Sequence, residues 1–389
     1  MGEVSNKVTQ KNTEREFIET FTNSAEFGIV SQNDFFDRQI SNYKNIDSYY
    51  VVSPDDFIYN PRISNYAPVG PIKRNKLNRT GIMSPLYYVF KTKSIDNLFL
   101  EKYFESNYWH KFMKLNGDSG ARSDRFAIRD SIFKEMPIPL PTKDEQKVIG
   151  KLLESLDNTI ALHQRELDLL KQSKKGFLEK LFPKDKENVP EIRLSNFKDK
   201  WKKRKLAEVS PLRGGFAFKS SGFRKEGIPV VRIANILSSG TVGGEYAYYD
   251  EQAIDDGFIL PVNAAIIAMS GATTGKVAVL NNPKYNKYYQ NQRVGYFRDL
   301  GIIDYDYISV FVRSSLFTKQ LQAVLVAGAQ PNISSKEIDS FIFYFPTYKQ
   351  EQEKIGNFFR ELDNTITLQE QKIESLQQMK KSFLQKMFI

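Results

Sequence analysis

The sequence predicts a mixed α/β (α+β) fold arranged as a pseudo-two-fold repeat, two tandem globular domains separated by two long antiparallel coiled-coil helices. Three observations predict it. Residues 145–182 return as residues 351–388, an offset of 206, with about 18 of 38 positions identical. Both copies of that stretch carry apolar side chains in a 4-3-4-3 series, a period of 3.5 residues. Ahead of each copy, short β-branched runs alternate with amphipathic segments bounded by Gly, Pro and Asn.

The elements follow in order. Residues 1–142 form the first domain, in which Val51-Val52 reads as a strand and Tyr103 to Met113 as an amphipathic helix. Residues 143–182 form the first long helix. Its seam is Ile149, Leu153, Leu156, Ile160, Leu167, Leu170 and Phe177, with His163 and Lys174 at the two remaining steps. Residues 183–347 hold a charged linker, including Lys202-Lys203-Arg204-Lys205 after Trp201, and the second domain, in which Ile266–Ala268 and Val277–Val279 read as strands. Residues 348–389 form the second long helix, with Ile355, Phe359, Leu362, Ile366, Ile373, Leu376 and Phe383 on the seam and Gln369 and Lys380 in the same two gaps. Polar residues at matching seam steps fix register at some cost in packing. One seam written twice in one chain favours pairing of the two helices with each other. Each rod is about 57 Å long at roughly 1.5 Å per residue, enough to hold two heads about one DNA turn, roughly 34 Å, apart.

The repeat continues upstream in weaker form. Pro141 matches Pro346, Ser106-Asn107-Tyr108-Trp109 resembles Ser314-Ser315-Leu316-Phe317, and Glu3-Val4-Ser5 matches Glu208-Val209-Ser210. Pro54-Asp55-Asp56-Phe57-Ile58 resembles Pro261-Val262-Asn263-Ala264-Ala265. The copies diverge where Asn60-Pro61-Arg62 and Pro71-Ile72-Lys73-Arg74 stand against Ser270-Gly271-Ala272-Thr273-Thr274-Gly275-Lys276. A kept scaffold with divergent loops suits two heads that hold one kind of partner and read different features of it.

Composition narrows the function. The chain has 389 residues, 41% hydrophobic and 13% aromatic, ample for packed cores. Its net charge of +10 attracts a polyanion, of which nucleic acid is the commonest. The absence of cysteine excludes disulfides, thiolate metal sites and Cys nucleophiles. No apolar run reaches the roughly 18 residues of a membrane span, and the polar start from Met1 to Thr13 shows no signal-peptide pattern, so a cytoplasmic location is expected. With two histidines, His110 and His163, no His-based zinc or catalytic site can be built. Ser270 to Lys276 fails as a phosphate loop. Three residues rather than four separate its glycines, and Val277 stands where magnesium needs Ser or Thr. Asn282-Pro283-Lys284-Tyr285 lacks the second proline of the amino-methyltransferase motif. No catalytic residue and no metal ligand is therefore expected.

The repeated helix carries a Pro, then three or four residues, then Glu-Gln-x-x-Ile at its start (Pro-x-x-x-x-Glu-Gln-x-x-Ile in the second copy), Leu-Asp-Asn-Thr-Ile in the middle and Lys-Lys-x-Phe-Leu-x-Lys-x-Phe at its end. With Gly227-Ile228-Pro229-Val230-Val231-Arg232, the Ala268 to Gly275 segment and Ala329-Gln330-Pro331-Asn332-Ile333, this resembles the specificity subunit of type I restriction-modification systems over nearly the whole chain. The resemblance implies two target recognition domains, each reading one half of a split asymmetric site in double-stranded DNA, and helices that set the spacer. It implies a role in phage defence with two modification subunits that methylate adenine N6 and two ATP-driven restriction subunits. S-adenosylmethionine, ATP and magnesium are then expected on those partners, and no cofactor in this chain. One departure stands out. Copy two is preceded by Val189 to Lys205, whereas copy one begins at Met1-Gly2-Glu3-Val4, the match of Leu206-Ala207-Glu208-Val209. A less firmly anchored first head is the expectation.

Phosphates call for Lys and Arg, and base edges for Arg, Lys, Asn, Gln, Ser or Thr on reachable loops. In the first head the candidates are Arg62, Lys73, Arg74, Lys76, Arg79, Arg122 and Arg125. In the second they are Arg213, Lys219, Arg232, Ser270, Thr273, Thr274, Lys276, Gln292, Arg293, Gln330 and Asn332. Two competing readings have distinct signatures. A nuclease fused to a reader would cut DNA alone with metal, and a protein adaptor would not be retained on DNA at low salt.

Overall fold

The structure is a computed structural model that describes residues 1–35, 43–118, 124–184, 187–194, 197–281, 284–327 and 332–388. Two long helices dominate it, Lys143–Lys180 (the central helix) and Lys349–Lys386 (the C-terminal helix). The chain divides into two compact units that do not follow chain order. The first is Met1–Gln164 with Gln371–Ile389, and the second is Arg165–Glu370. Each unit therefore takes one head and a part of both helices.

In the first unit four antiparallel strands lie in the order Ser5–Lys7, Tyr88–Thr92, Phe57–Tyr59, Ile72–Arg74. In the second, Leu212–Gly214, Val294–Phe297, Ala265–Ala268 and Val277–Val279 repeat that order. Lys7 pairs with Phe90 as Arg213 pairs with Tyr296. Phe57 also faces Phe90 and Ile266 faces Tyr296, so the strand match falls two residues beyond the sequence match of Phe57 to Ala264. The main-chain nitrogen of Met1 donates to the Met136 carbonyl as that of Leu206 donates to Phe341. The heads differ elsewhere. The second adds a sheet in the order Phe223–Arg224, Ala247–Tyr249, Ile228–Val231, Tyr289–Gln290. The first has a hairpin, Phe21–Ser24 with Gly28–Ser31, and a separate pair, Tyr50–Val52 with Gly81–Met83.

The repeated motifs have physical reasons. Gln146 and Gln352, buried at the helix starts, accept from the backbone N–H groups of Asp96 and Asp304 and donate to the carbonyls of Pro141 and Pro346. Asp96 and Asp304 in turn cap helices by accepting from Phe99 and Tyr307 N–H. Four residues on, Gly150 and Gly356 leave room for those capped turns. A Cβ at Gly356 would lie 2.8 Å from the Tyr307 nitrogen, and one at Gly150 3.1 Å from the Phe99 nitrogen.

Every predicted seam residue of both helices is buried or half-buried, as are His163, Lys174, Gln369 and Lys380. Within each unit the two helix segments run antiparallel. Lys380 pairs with Asp157 in the first, and Lys174 with Asp363 in the second, both at 2.5 Å. These two pairs are the same pair under the 206-residue repeat. Asp363 also takes Arg313 at 2.9 Å and Asp157 takes Lys102 at 2.5 Å. Burial alone would raise both carboxyls, but the neighbouring cations hold them below the usual carboxylate range.

The cores are aromatic. In the first unit Phe388, in the turn just past the C-terminal helix, sits 5.3 Å from Phe99 and 5.6 Å from Tyr103 (ring centroids) and is buried with Trp109 and Phe133. In the second, Phe182 contacts Trp201, Tyr307 and Phe311. Two readings change. Tyr103 to Met113 is not one helix but two, Asn97–Glu105 and Tyr108–Asn116, because Ser106 turns extended and its hydroxyl and N–H both cap the Tyr103 carbonyl. The Lys202–Lys205 run is a strand whose backbone pairs with Ile342–Phe345, while Trp201 docks in the core.

Candidate nucleic-acid interface

In the second head three separate segments meet at one end of the four-stranded sheet. The Ala265–Ala268 strand runs out at Met269, whose N–H donates to the Arg293 carbonyl at 2.9 Å. The Ile333 N–H donates to the Met269 carbonyl, also at 2.9 Å. This places Ser270, Gln292, Arg293 and Asn332 around a concavity of about 640 Å³ floored by Met269 and Ile333. No carboxylate lines it among the described residues. Gln292 and Arg293 are exposed, while the Ser270 hydroxyl is buried with no hydrogen-bond partner among the described residues, as is the Arg232 Nε just past the strand Ile228–Val231. A guanidinium and amides around a space lined by no carboxylate can pair with base edges and phosphates.

The loop behind it is a tight hairpin, not a phosphate cradle. Gly271 and Gly275 both have φ near +83°, and Thr274 bonds the Gly271 carbonyl through both its N–H (3.0 Å) and its hydroxyl (2.6 Å). Thr273 turns toward the Ile233 carbonyl at 3.5 Å. Lys276 points away from the concavity to Ser238, 2.9 Å. Lys219 is exposed at the start of a short turn and is not gathered with the others.

Arg213 is tied into the second head rather than gathered with the others. Its guanidinium is half-buried, donates to Gln290 Oε1 at 3.0 and 2.8 Å and to the Ile259 carbonyl at 2.6 Å, and lies 4.8 Å over the Tyr296 ring. Burial pulls its pKa down. Gln290, fully buried, ties the strand together by donating to the Arg213 and Val294 carbonyls. Nothing in the sequence around Arg213 shows that its partners lie 46 and 77 positions away.

In the first head the same strand exit brings Arg62 and Arg125 together. Phe126 N–H donates to the Pro61 carbonyl at 2.7 Å and Ile63 N–H to Asp124 at 3.0 Å. Arg62 is exposed, with Asp124 at 3.7 Å. Beside them lies a concavity of about 810 Å³ lined by Tyr59, Pro61, Leu86, Tyr88, Phe126 and Arg129. Leu86 and Arg129 were not among the sequence candidates. Three candidates are held by carboxylates instead. Arg74 pairs with Asp55 (3.2 Å) and Glu101 (2.6 Å), Lys76 with Glu101 (2.9 Å), and Arg79 grips Glu19 through two nitrogens at 2.8 Å. Lys73 is half-buried at a different concavity, of about 480 Å³, with Trp109 and His110. Burial holds the His110 pKa below its ordinary value. Arg122 and Gln330 lie outside the described residues.

Among the described residues no group of three or more His, Asp or Glu is placed to hold a metal ion, and no helix is long and apolar enough to cross a membrane. The chain resembles known proteins throughout its length. It is 25% identical over 321 residues to the type I restriction enzyme MjaVIII specificity subunit of Methanocaldococcus jannaschii, covering 79% of this chain and 73% of that protein. The fold is shared with the crystal structure of a type I restriction-modification S subunit from M. genitalium (TM-score 0.62, 15% identity, 100% of this chain and 94% of that one). It is also shared with a chain of a type I R-M system solved for its assembly and conformational transition (TM-score 0.55, 13% identity, 100% and 96%). The profile of the type I restriction modification DNA specificity domain matches residues 3–172 and again 198–378. The chain therefore belongs to the family of type I restriction-modification DNA specificity domains, carries two copies of that domain, and serves DNA sequence specificity.

Proposed function

We propose that each head reads one half of a split, asymmetric site in double-stranded DNA. The observation that carries this reading is the convergence of Ser270, Gln292, Arg293 and Asn332 at one sheet end, and of Arg62 and Arg125 at the corresponding end in the first head. Arg pairs with guanine O6 and N7, and Gln or Asn with adenine N6 and N7, each bidentate contact worth about 1–3 kcal/mol of discrimination. Different side chains on one scaffold supply different half-sites. Two modification subunits would use S-adenosylmethionine to methylate adenine N6, and two restriction subunits would use ATP and magnesium, in the cytoplasm and against phage DNA.

The test is co-expression with the modification subunit encoded beside it, followed by a genome-wide map of N6-methyladenine. A split motif with a fixed spacer is expected. Gln292→Ala and Arg293→Ala should relax one half of it, and Arg62→Ala the other. Both halves changing together under any one substitution would refute the division of labour.

A further inference from the structure

A second polar concavity in the second unit, of about 350 Å³, lies where the head meets the helix segments. Three cations line it, Lys174, Arg313 and Lys276, together with the hydroxyls of Ser238, Ser239 and Thr318. No carboxylate lines it among the described residues. Asp363 stands behind, holding Lys174 and Arg313 in place at 2.5 and 2.9 Å, so three cations face one acid. Burial first, and then the charge of Arg313, push the Lys174 pKa down against the pull of Asp363.

The repeat supplies an internal control. The corresponding concavity of the first unit, about 480 Å³, is lined by Lys380 and Lys73 but also by Asp157 and Glu105. Lys380 and Asp157 are the repeat partners of Lys174 and Asp363. Glu105 stands just ahead of Ser106-Asn107 as Arg313 stands ahead of Ser314-Ser315. One acid has become a base between the copies. With Lys102, which holds Asp157 and Glu105 at 2.5 and 2.7 Å, three cations meet two acids in the first unit, whereas three cations meet the single Asp363 in the second, a larger excess of positive charge at the same place.

We infer that the concavity of Lys174, Lys276 and Arg313 binds a phosphoryl group. Cations combined with hydroxyl donors suit a tetrahedral oxyanion. The group is either a backbone phosphate of the bound DNA or a free phosphate. The inference does not rest on the base-reading concavity, whose residues are different. Loss of motif specificity on changing Gln292 or Arg293 would leave it standing.

The test melts the full chain in inorganic phosphate and in sodium chloride at matched ionic strength. General salt effects are common to all variants, so the quantity read is the difference from wild type. Phosphate over chloride should raise the wild-type midpoint of the second unit by about 2–4 °C more than it raises that of Lys276→Gln, which should lose the site-specific part of the rise. Arg313→Glu restores the charge pattern of the first unit and should lose it too. Should that variant not fold, the exposed Lys276 still decides. If Lys276→Gln also makes the slope of log K for DNA against log salt shallower by about one, the phosphate belongs to the DNA backbone. An unchanged slope with the phosphate effect present assigns the site to free phosphate. An equal phosphate-over-chloride rise in wild type and Lys276→Gln overturns the inference.

Discussion

Arg213→Met separates a structural arginine from a DNA-reading one. Methionine keeps the aliphatic stem and removes every donor. Three short hydrogen bonds from a charged group are lost, two to Gln290 Oε1 and one to the Ile259 carbonyl, with the stacking on Tyr296. The buried Gln290 oxygen is left without its donor, which costs about 1–3 kcal/mol, and the ring contact adds about 0.5–1 kcal/mol. A loss of about 3 kcal/mol results. In a unit of this size that lowers the midpoint by about 6–12 °C. The assay pairs a thermal melt with DNA binding measured well below the lower midpoint, across a salt series. The variant should melt early yet bind with the wild-type salt slope. A melt within about 1 °C of wild type together with a slope shallower by about one would make Arg213 a phosphate contact and refute the reasoning.

Three further outcomes are expected. Gly356→Ala should destabilise by about 1–2 kcal/mol in chemical denaturation although alanine favours helices, because its Cβ would meet the Asp304 carboxylate and the Tyr307 nitrogen at 2.8 Å. A stabilised variant would show that the helix start is loosely packed. Phe388→Ala should cost about 3–4 kcal/mol in the melting of the first unit, since the ring is buried against Phe99 and Tyr103; an unchanged midpoint would show that the turn after the C-terminal helix is not part of that core. Burial pushes the Asp56 carboxyl up to about 6. A raised acid takes up a proton more readily folded than unfolded, so its contribution to stability is lost as pH rises from about 4 through 6. Measured against Asp56→Asn in urea, wild type should lose about 1–2 kcal/mol between pH 4.5 and 7.5, and a constant difference would contradict this.

The long helices were legible because their signal is local. A 3.5-residue period over five heptads survives whatever else the chain does, and all fourteen seam positions are shielded. The Glu-Gln and Ile-Gly matches were visible as repetition but not as mechanism, since the groups they serve, Asp96 and Asp304, lie about 50 residues upstream. Cations were harder to sort. A free arginine and a paired one look alike in sequence, and the acids that hold Arg74, Lys76 and Arg79 stand 19 to 60 positions away. Ser270, Gln292, Arg293 and Asn332 could be nominated singly by residue type. That they share one concavity depends on two backbone hydrogen bonds through Met269, which no local pattern encodes.

The division of the chain into Met1–Gln164 with Gln371–Ile389, and Arg165–Glu370, has a temporal meaning. On the ribosome the second unit is contiguous and can close as soon as it emerges. The first unit begins earlier and finishes later, because Phe388 and the end of the C-terminal helix are synthesised after the whole of the second unit. At roughly 5–20 residues per second, the first head waits about 10–40 s with Phe99 and Tyr103 uncovered. The half of the molecule made first is the half completed last.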